Sequence, residues 1–359
     1  MSSNTNDHLL GGKRPSSFRT ILFVIFFVII AIAGLTYVKW WPYYFKAIKA
    51  AAEHSIGSSI LTGDQGTAPT PSLQSAWDYG AVYFKSVWKA AVLGILLGSL
   101  VQVLLPSRWL LKVLGRTNFK STALGGIASL PGMMCTCCAA PIAVGLRKKN
   151  VSIGASLAFW IGNPVLNPAT LIFMTFVLSW KFTLLRIVFG ILLTFAVSFF
   201  ANKFAGNTKV PDVVEEVVNQ PDEPQGSFLT LWLKSMGTML LTIVPAYLVT
   251  VLLLGAARAW MFPTLGAGSM NGILAVIIFA IAGTLFVIPT AAEIPIIATF
   301  LSLGFGTAVA GALLITLPAV SLPSMLMVSR SFPRKVIWFV LASVVLLGLV
   351  CGAISAVIL

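Results

Sequence analysis

Nine apolar runs divide this chain: Thr20–Val38, Val82–Leu105, Leu124–Leu146, Val151–Leu178, Phe182–Ala201, Phe228–Gly255, Asn271–Ile288, Pro295–Val328 and Val336–Leu359. About 20 apolar residues cross the hydrocarbon core of a bilayer as a helix, and inside that core the backbone must satisfy its own hydrogen bonds. The pattern predicts an all-α polytopic membrane protein. Composition agrees, with 58% hydrophobic and only 9% charged residues, where a soluble domain carries about 25% charged. A net charge of +14 would point a soluble protein at nucleic acid, but here Lys and Arg gather at the ends of apolar runs and read as topology signals. Nucleic acid is therefore excluded as a partner, and the lipid bilayer is the surrounding the chain is built for.

Residues 1–17 are polar and basic ahead of the first run, which ends in Lys39-Trp-Trp-Pro without a small-residue cleavage site. That run reads as a retained helix rather than a signal peptide. Residues 1–76 then form an N-terminal helix and a surface connection, 77–205 a first permease half, 206–226 an acidic linker and 227–359 a second half. The halves look alike. Pro141 and Pro164 are 23 residues apart, as are Pro295 and Pro318, and Phe84-Lys-Ser matches Leu233-Lys-Ser. Paired, proline-interrupted apolar segments are the pattern of a transporter whose site lies at the repeat interface.

Charge decides the relative orientation of the repeats. The segment 106–122 carries Arg108, Lys112, Arg116 and Lys120 and no acid, and 147–150 carries Arg147, Lys148 and Lys149. Both belong on the cytoplasmic side, so the run between them is expected to enter and leave by one face. The same reasoning for its mate around 286–299 predicts two inverted repeats with broken helices and re-entrant hairpins, about seven full spans plus two hairpins, in place of eight or nine full spans.

Chemistry concentrates at the breaks. Cys135, Cys137 and Cys138, with Met134 beside them, are soft donors suited to transient contact with thiophilic metals or metalloids, with no permanent metal site implied. Asn163 and Asn167 stand four apart around Pro164 and Pro168, where their amides can hold broken helix ends or touch a solute; Ser321, between Pro318 and Pro323, is the matching polar group. Among the acidic residues only Glu293 falls inside an apolar run, which marks it as a proton carrier or the partner of a cation. Candidate counter-charges are Lys85, Lys89, Arg186 and Lys234.

These motifs carry a resemblance. Cys135-Thr-Cys-Cys-Ala-Ala-Pro141, Gly154-Ala-Ser-Leu-Ala-Phe159, Asn163-Pro-Val-Leu-Asn-Pro168, Glu293-Ile-Pro295 and Leu317-Pro-Ala-Val-Ser-Leu-Pro323 resemble the bacterial predicted-permease family of ArsP-like methylarsenite efflux permeases and YraQ-like proteins. The likeness spans about residues 80–350. Family members typically show Cys-x-Cys-Gly-x-x-Pro, whereas here Cys138 replaces the glycine and Asn163 replaces a small residue. The resemblance implies a permease of the bacterial inner membrane and a soft metalloid such as an organoarsenical.

The expected function is thus a secondary permease, not an enzyme and without a cofactor, since no phosphate-binding Gly-x-x-x-x-Gly-Lys-Ser/Thr motif is present. Proton coupling would run through Glu293. A small inorganic or sulfur-containing anion is the alternative solute. A membrane thiol oxidoreductase using the same cysteines is the alternative of a different class.

Overall fold

The computed structural model describes residues 17–62, 69–205, 227–263 and 272–359, so the acidic linker 206–226 lies outside the described residues. Among the described residues every regular element is a helix. The chain starts with α1 (Ser17–Leu35), a π-helical turn (Thr36–Trp40) and α2 (Trp41–Glu53), followed by the long α3 (Leu73–Leu104) and the short α4 (Ser107–Leu114). Next come α5 (Phe119–Ser129), α6 (Thr136–Lys148), α7 (Ile153–Val165), α8 (Pro168–Val177), α9 (Trp180–Ile191) and α10 (Ser198–Phe204). The second half holds α11 (Phe228–Met261), α12 (Ile273–Leu285), α13 (Glu293–Ser302), α14 (Thr307–Ala319), α15 (Leu322–Val328) and α16 (Arg334–Ile358). Among the described residues, seven helical stretches are long and apolar enough to cross a membrane: Ile21–Glu53, Leu73–Leu104, Ile153–Val177, Trp180–Phe204, Phe228–Met261, Thr307–Val328 and Arg334–Ile358.

The run Leu124–Leu146 is not one of the seven. Its two helices, α5 and α6, have 11 and 13 residues, about 16 and 20 Å at 1.5 Å per residue, each short of the ~30 Å core. They form a hairpin. Gly154 of α7 packs beside Thr122, Gly125 beside Ala155, and Gly162 beside Ser129, so α5 runs parallel to α7 from the same end. At the tip the Trp160 indole N–H donates to the Thr136 carbonyl at 3.0 Å, and at the open end the Ser152 amide donates to the Leu114 carbonyl at 3.0 Å. Both ends of the hairpin therefore lie at the face that holds 106–122 and 147–150.

The second half repeats the plan upside down. Gly283 of α12 packs against Thr316, while Gly352 of α16 meets Val276 and Ala308, so α12 and α14 are parallel neighbours. The hairpin closes through Phe279, whose ring lies 5.2 Å from Phe300 and 5.4 Å from Phe305. Its open end adjoins the C-terminal end of α16, where Lys181 donates to the Ile358 carbonyl at 2.9 Å. The start of α16 lies at the other face, since Arg147 Nε donates to the Ser331 carbonyl at 3.3 Å. One face is thus basic, with Arg147, Lys148, Arg330 and Arg334, and the two hairpins open on opposite faces.

Both tips turn on a non-glycine residue in the left-handed region, Met133 at φ 48° and Ala291 at φ 69°. Such a conformation costs roughly 1 kcal/mol or more and persists where surrounding packing demands it. A topology assay checks the arrangement directly. Single cysteines at Arg116 and Lys148, in a background without the native thiols, should be labelled from the same side, and one at Gly304 from the other. Labelling of positions 116 and 148 from opposite sides would dissolve both the hairpin and the inversion.

Candidate functional site

Four breaks in the helices meet in the middle of the bundle. Cys135 and Thr136 at the first tip, Pro164 at the α7–α8 break, Ile288 to Ala291 with Glu293 at the second tip, and Leu317 and Pro318 at the α14–α15 break enclose a cavity of about 10 Å³, room for one water. Each broken helix leaves carbonyls without donors. Pro168 has no N–H for the carbonyl of Pro164, and Pro318 has none for that of Leu314. The Asn167 carboxamide oxygen takes the amides of Ala169 and Thr170 at 3.0 and 3.3 Å, which caps α8 but leaves the Val165 carbonyl unclaimed by residue 169.

One side chain collects all three carbonyls. Arg186 of α9, fully buried, donates through Nε to Val165 at 2.8 Å, through Nη2 to Pro164 at 3.0 Å and through Nη1 to Leu314. Its Nη2 also holds Glu293 Oε1 at 3.1 Å, the carboxyl side chain being 2% exposed. A planar guanidinium with a fixed fork of donors suits this task, and a lysine ammonium does not. Glu293 therefore sits in the membrane as half of an ion pair that binds the second hairpin to both broken helices. Of the other candidate counter-charges, Lys89 lies over the Tyr37 and Trp88 rings at 5.4 and 5.7 Å, and neither Lys85 nor Lys234 lines the cavity.

The cysteines divide. Cys135 is the N-cap of α6 and Cys138 falls in its first turn, and their sulfurs stand 2.9 Å apart, both buried. Cys137 points to the other repeat, its sulfur 3.5 Å from Ser321 Oγ, which also lies 3.3 Å from Thr136 Oγ1. Helical geometry explains this, since positions 135 and 138 share a face and 137 does not. Among the described residues no group of three or more His, Cys, Asp or Glu is placed to hold a metal ion, so the three thiols do not form one ligand cluster. Met134 is buried and lies outside the cavity lining. Asn163 donates to the Phe159 carbonyl at 2.9 Å, leaving its oxygen unpartnered against Gly132 of the first tip. Ser321 caps α15 in a reciprocal box with Ser324.

Two larger cavities flank the centre. Toward the basic face, Val144, Arg147, Lys148, Met239, Met327 and Arg330 border a space of about 410 Å³. Toward the opposite face, Lys39, Tyr43, Lys46, Asp78, Tyr79 and Arg258 border one of about 770 Å³, which shares Pro289, Thr290 and Ala291 with the central cavity. The second tip is thus the wall between them. Ile56, Ser59 and Pro69, in the stretch before residue 77 expected to be a surface connection, line part of this outer cavity. The N-terminal helix also grips both tips: Trp40 Nε1 donates to the Pro131 carbonyl at 2.8 Å and Lys39 Nζ to Thr290 Oγ1 at 3.1 Å. Its only sequence sign is a lysine flanked by aromatics, which at the end of an apolar run reads as an interfacial belt.

Inverted hairpins around a shared central cavity define a class, the polytopic membrane protein built on the plan of a membrane transporter. The chain belongs to the ArsP_1 family, described as predicted permeases, which it matches over residues 81–357. It is 50% identical to the UPF0718 protein YraQ of Escherichia coli (strain K12) over 329 residues, covering 92% of this chain and 93% of that one. It is 21% identical to the UPF0718 protein MJ0584 of Methanocaldococcus jannaschii, covering 75% of this chain and 92% of that one. No solved structure matches the chain.

Proposed function

We propose that this protein is a secondary permease of the bacterial inner membrane, with its basic face in the cytoplasm, that moves a small solute by alternating access. The observation that carries this is the small cavity between two inverted hairpin tips, with a larger cavity toward either face. Repeat halves at 77–205 and 227–359 would rock about that point, opening it to one cavity and then the other. The solute is a soft metalloid or metal species of organoarsenical type, clasped by Cys135, which lines the cavity, and by Cys138 beside it, with Cys137, Ser321 and Asn163 as polar groups behind the lining. Asn167 shapes the break from which Arg186 takes its carbonyls. Glu293 couples transport to protons: protonation cancels its attraction for Arg186 and releases the second tip from the broken helices. A second reading, a small inorganic or sulfur-containing anion, is favoured by the lysines and arginines that border both flanking cavities.

The thiols test the first reading. A trivalent metalloid is held through thiolate bonds, so losing one of two donors should weaken it far more than the ~1 kcal/mol of an ordinary hydrogen bond. Cys135→Ser and Cys138→Ser should each nearly abolish uptake of methylarsenite into inverted vesicles. Cys351→Ser, deep in α16 beside Ser355, should be silent. Normal uptake by both pair variants at normal expression would remove the thiol mechanism and leave the anion reading.

A further inference from the structure

The cavity opposite the basic face is built for negative charge. Arg258 is 7% exposed and its Nε, within that cavity's wall, has no hydrogen-bond partner; its guanidinium rests over the Tyr79 ring at 5.4 Å. Lys39 is 5% exposed, and Nζ gives two of its three protons to neutral oxygens, Tyr43 Oη at 3.0 Å and Thr290 Oγ1 at 3.1 Å. Lys46 lines the same space. Among the described residues none of these three has a carboxylate within 4 Å, and Asp78, the one described acid in the lining, accepts from Gln74 at 2.8 Å. Among the described residues of the lining, three cations against one carboxylate leave a net charge of +2. A cation taken out of water without a counter-charge costs several kcal/mol, and a bound anion offsets that cost. Lys39 and Lys46 come from helices before the segment that matches the permease family, and Arg258 from within it.

We propose that Arg258, Lys39 and Lys46 form a capture site for a small oxyanion, which passes from there over Thr290 into the central cavity. The inference rests on the permease reading and narrows its solute to a species that is anionic at this face. Lys39 bridges the two places, because its Thr290 contact lies on the wall between the outer and central cavities. Thiosulfate combines both demands, a charged head for the cations and a soft terminal sulfur for the Cys135–Cys138 pair.

The test is calorimetric titration of the full chain in phosphatidylcholine nanodiscs with sodium thiosulfate, sodium sulfate and sodium phosphate, against sodium chloride at equal ionic strength. At least one oxyanion should bind saturably, and Arg258→Gln should weaken it tenfold or more. Lys46→Gln, at a partly buried position that a polar residue can occupy, should weaken it as well and serves if Arg258→Gln does not fold. Lys120→Gln, exposed at the basic face and outside the cavities described, should bind as the parent does. Absence of saturable binding to all three salts, or unchanged binding in both variants, overturns the proposal. So does an Arg258-dependent rise in melting temperature seen only when phosphatidylglycerol replaces phosphatidylcholine, which would make the occupant a lipid headgroup. Transport is scored separately in proteoliposomes: methylarsenite flux without oxyanion binding sinks the capture site and spares the permease, whereas Arg258-dependent binding without any flux does the reverse.

Discussion

Arg186→Met should be the most damaging single substitution in this protein. It strands Glu293 as an unpaired carboxylate in the membrane, a loss of the kind that costs about 3–5 kcal/mol. It also orphans the carbonyls of Pro164, Val165 and Leu314, and each buried polar group left without a partner adds about 1–3 kcal/mol. The sum rivals the whole stability of a typical domain, so the variant should fail to yield a monodisperse species by fluorescence-detected gel filtration. Arg186→Lys keeps the charge but not the fork, and should survive with a lowered melting temperature. Glu293→Gln is the informative partner, because an amide oxygen still accepts from Arg186 while it cannot carry a proton. That variant should insert and fold yet lose pH-driven transport. Recovery of folded protein when Arg186→Met is combined with Glu293→Leu would show that the stranded charge, more than the carbonyls, does the damage. A parent-like melting temperature for Arg186→Met alone would refute the account of the junction.

The second large effect is expected at Gly98. α3 carries Gly94-Ile-Leu-Leu-Gly98, a small-xxx-small spacing that lets helices meet backbone to backbone in a membrane. A Cβ on Gly98 would stand 2.6 Å from the Pro141 carbonyl oxygen and 2.7 Å from its carbon, and one on Gly145 of α6 would stand 2.6 Å from the Gly98 carbonyl oxygen. Gly94 abuts the backbone of Cys138 in the same way. Those neighbours are main chain and cannot rotate aside. Gly98→Leu should therefore push the first hairpin off α3, costing about 1–3 kcal/mol or more and shifting the Cys135–Cys138 pair with it. Transport should be lost at detectable expression, with a lowered melting temperature. Gly237→Leu is the matched control, since nothing lies within 4 Å of a Cβ there. Equal behaviour of the two variants would mean that α3 and α6 do not pack this closely.

Much of this architecture was legible before any coordinates. Apolar run length sets spanning helices because the bilayer has no other way to satisfy a backbone. Of the equally spaced prolines, Pro164 and Pro318 mark where helices break, whereas Pro141 and Pro295 sit inside α6 and α13; basic loops on both sides of one run mark a hairpin that returns to its own face. Those signals are local or compositional, and they need no knowledge of who touches whom. Cys135 and Cys138 could likewise be assigned a common face from helical periodicity alone.

What the sequence left open are the partnerships across long separations. Nothing in the neighbourhood of Arg186 distinguishes it from a lysine or arginine that stretches toward the interface; its role exists because folding brings Glu293, 107 residues away, and three orphaned carbonyls to one point. The same holds for Lys39, whose contact with Thr290 closes a separation of 251 residues and turns an apparent belt residue into part of a cavity. Asn167 could face a solute or cap a helix, and only the position of the α8 amides reveals that its oxygen caps. The sequence by itself determined where the chain crosses the membrane and where it breaks, since the bilayer and proline act on each segment separately. Tertiary structure decided which groups meet at the breaks, because charge pairing and capping depend on distances that no single segment contains.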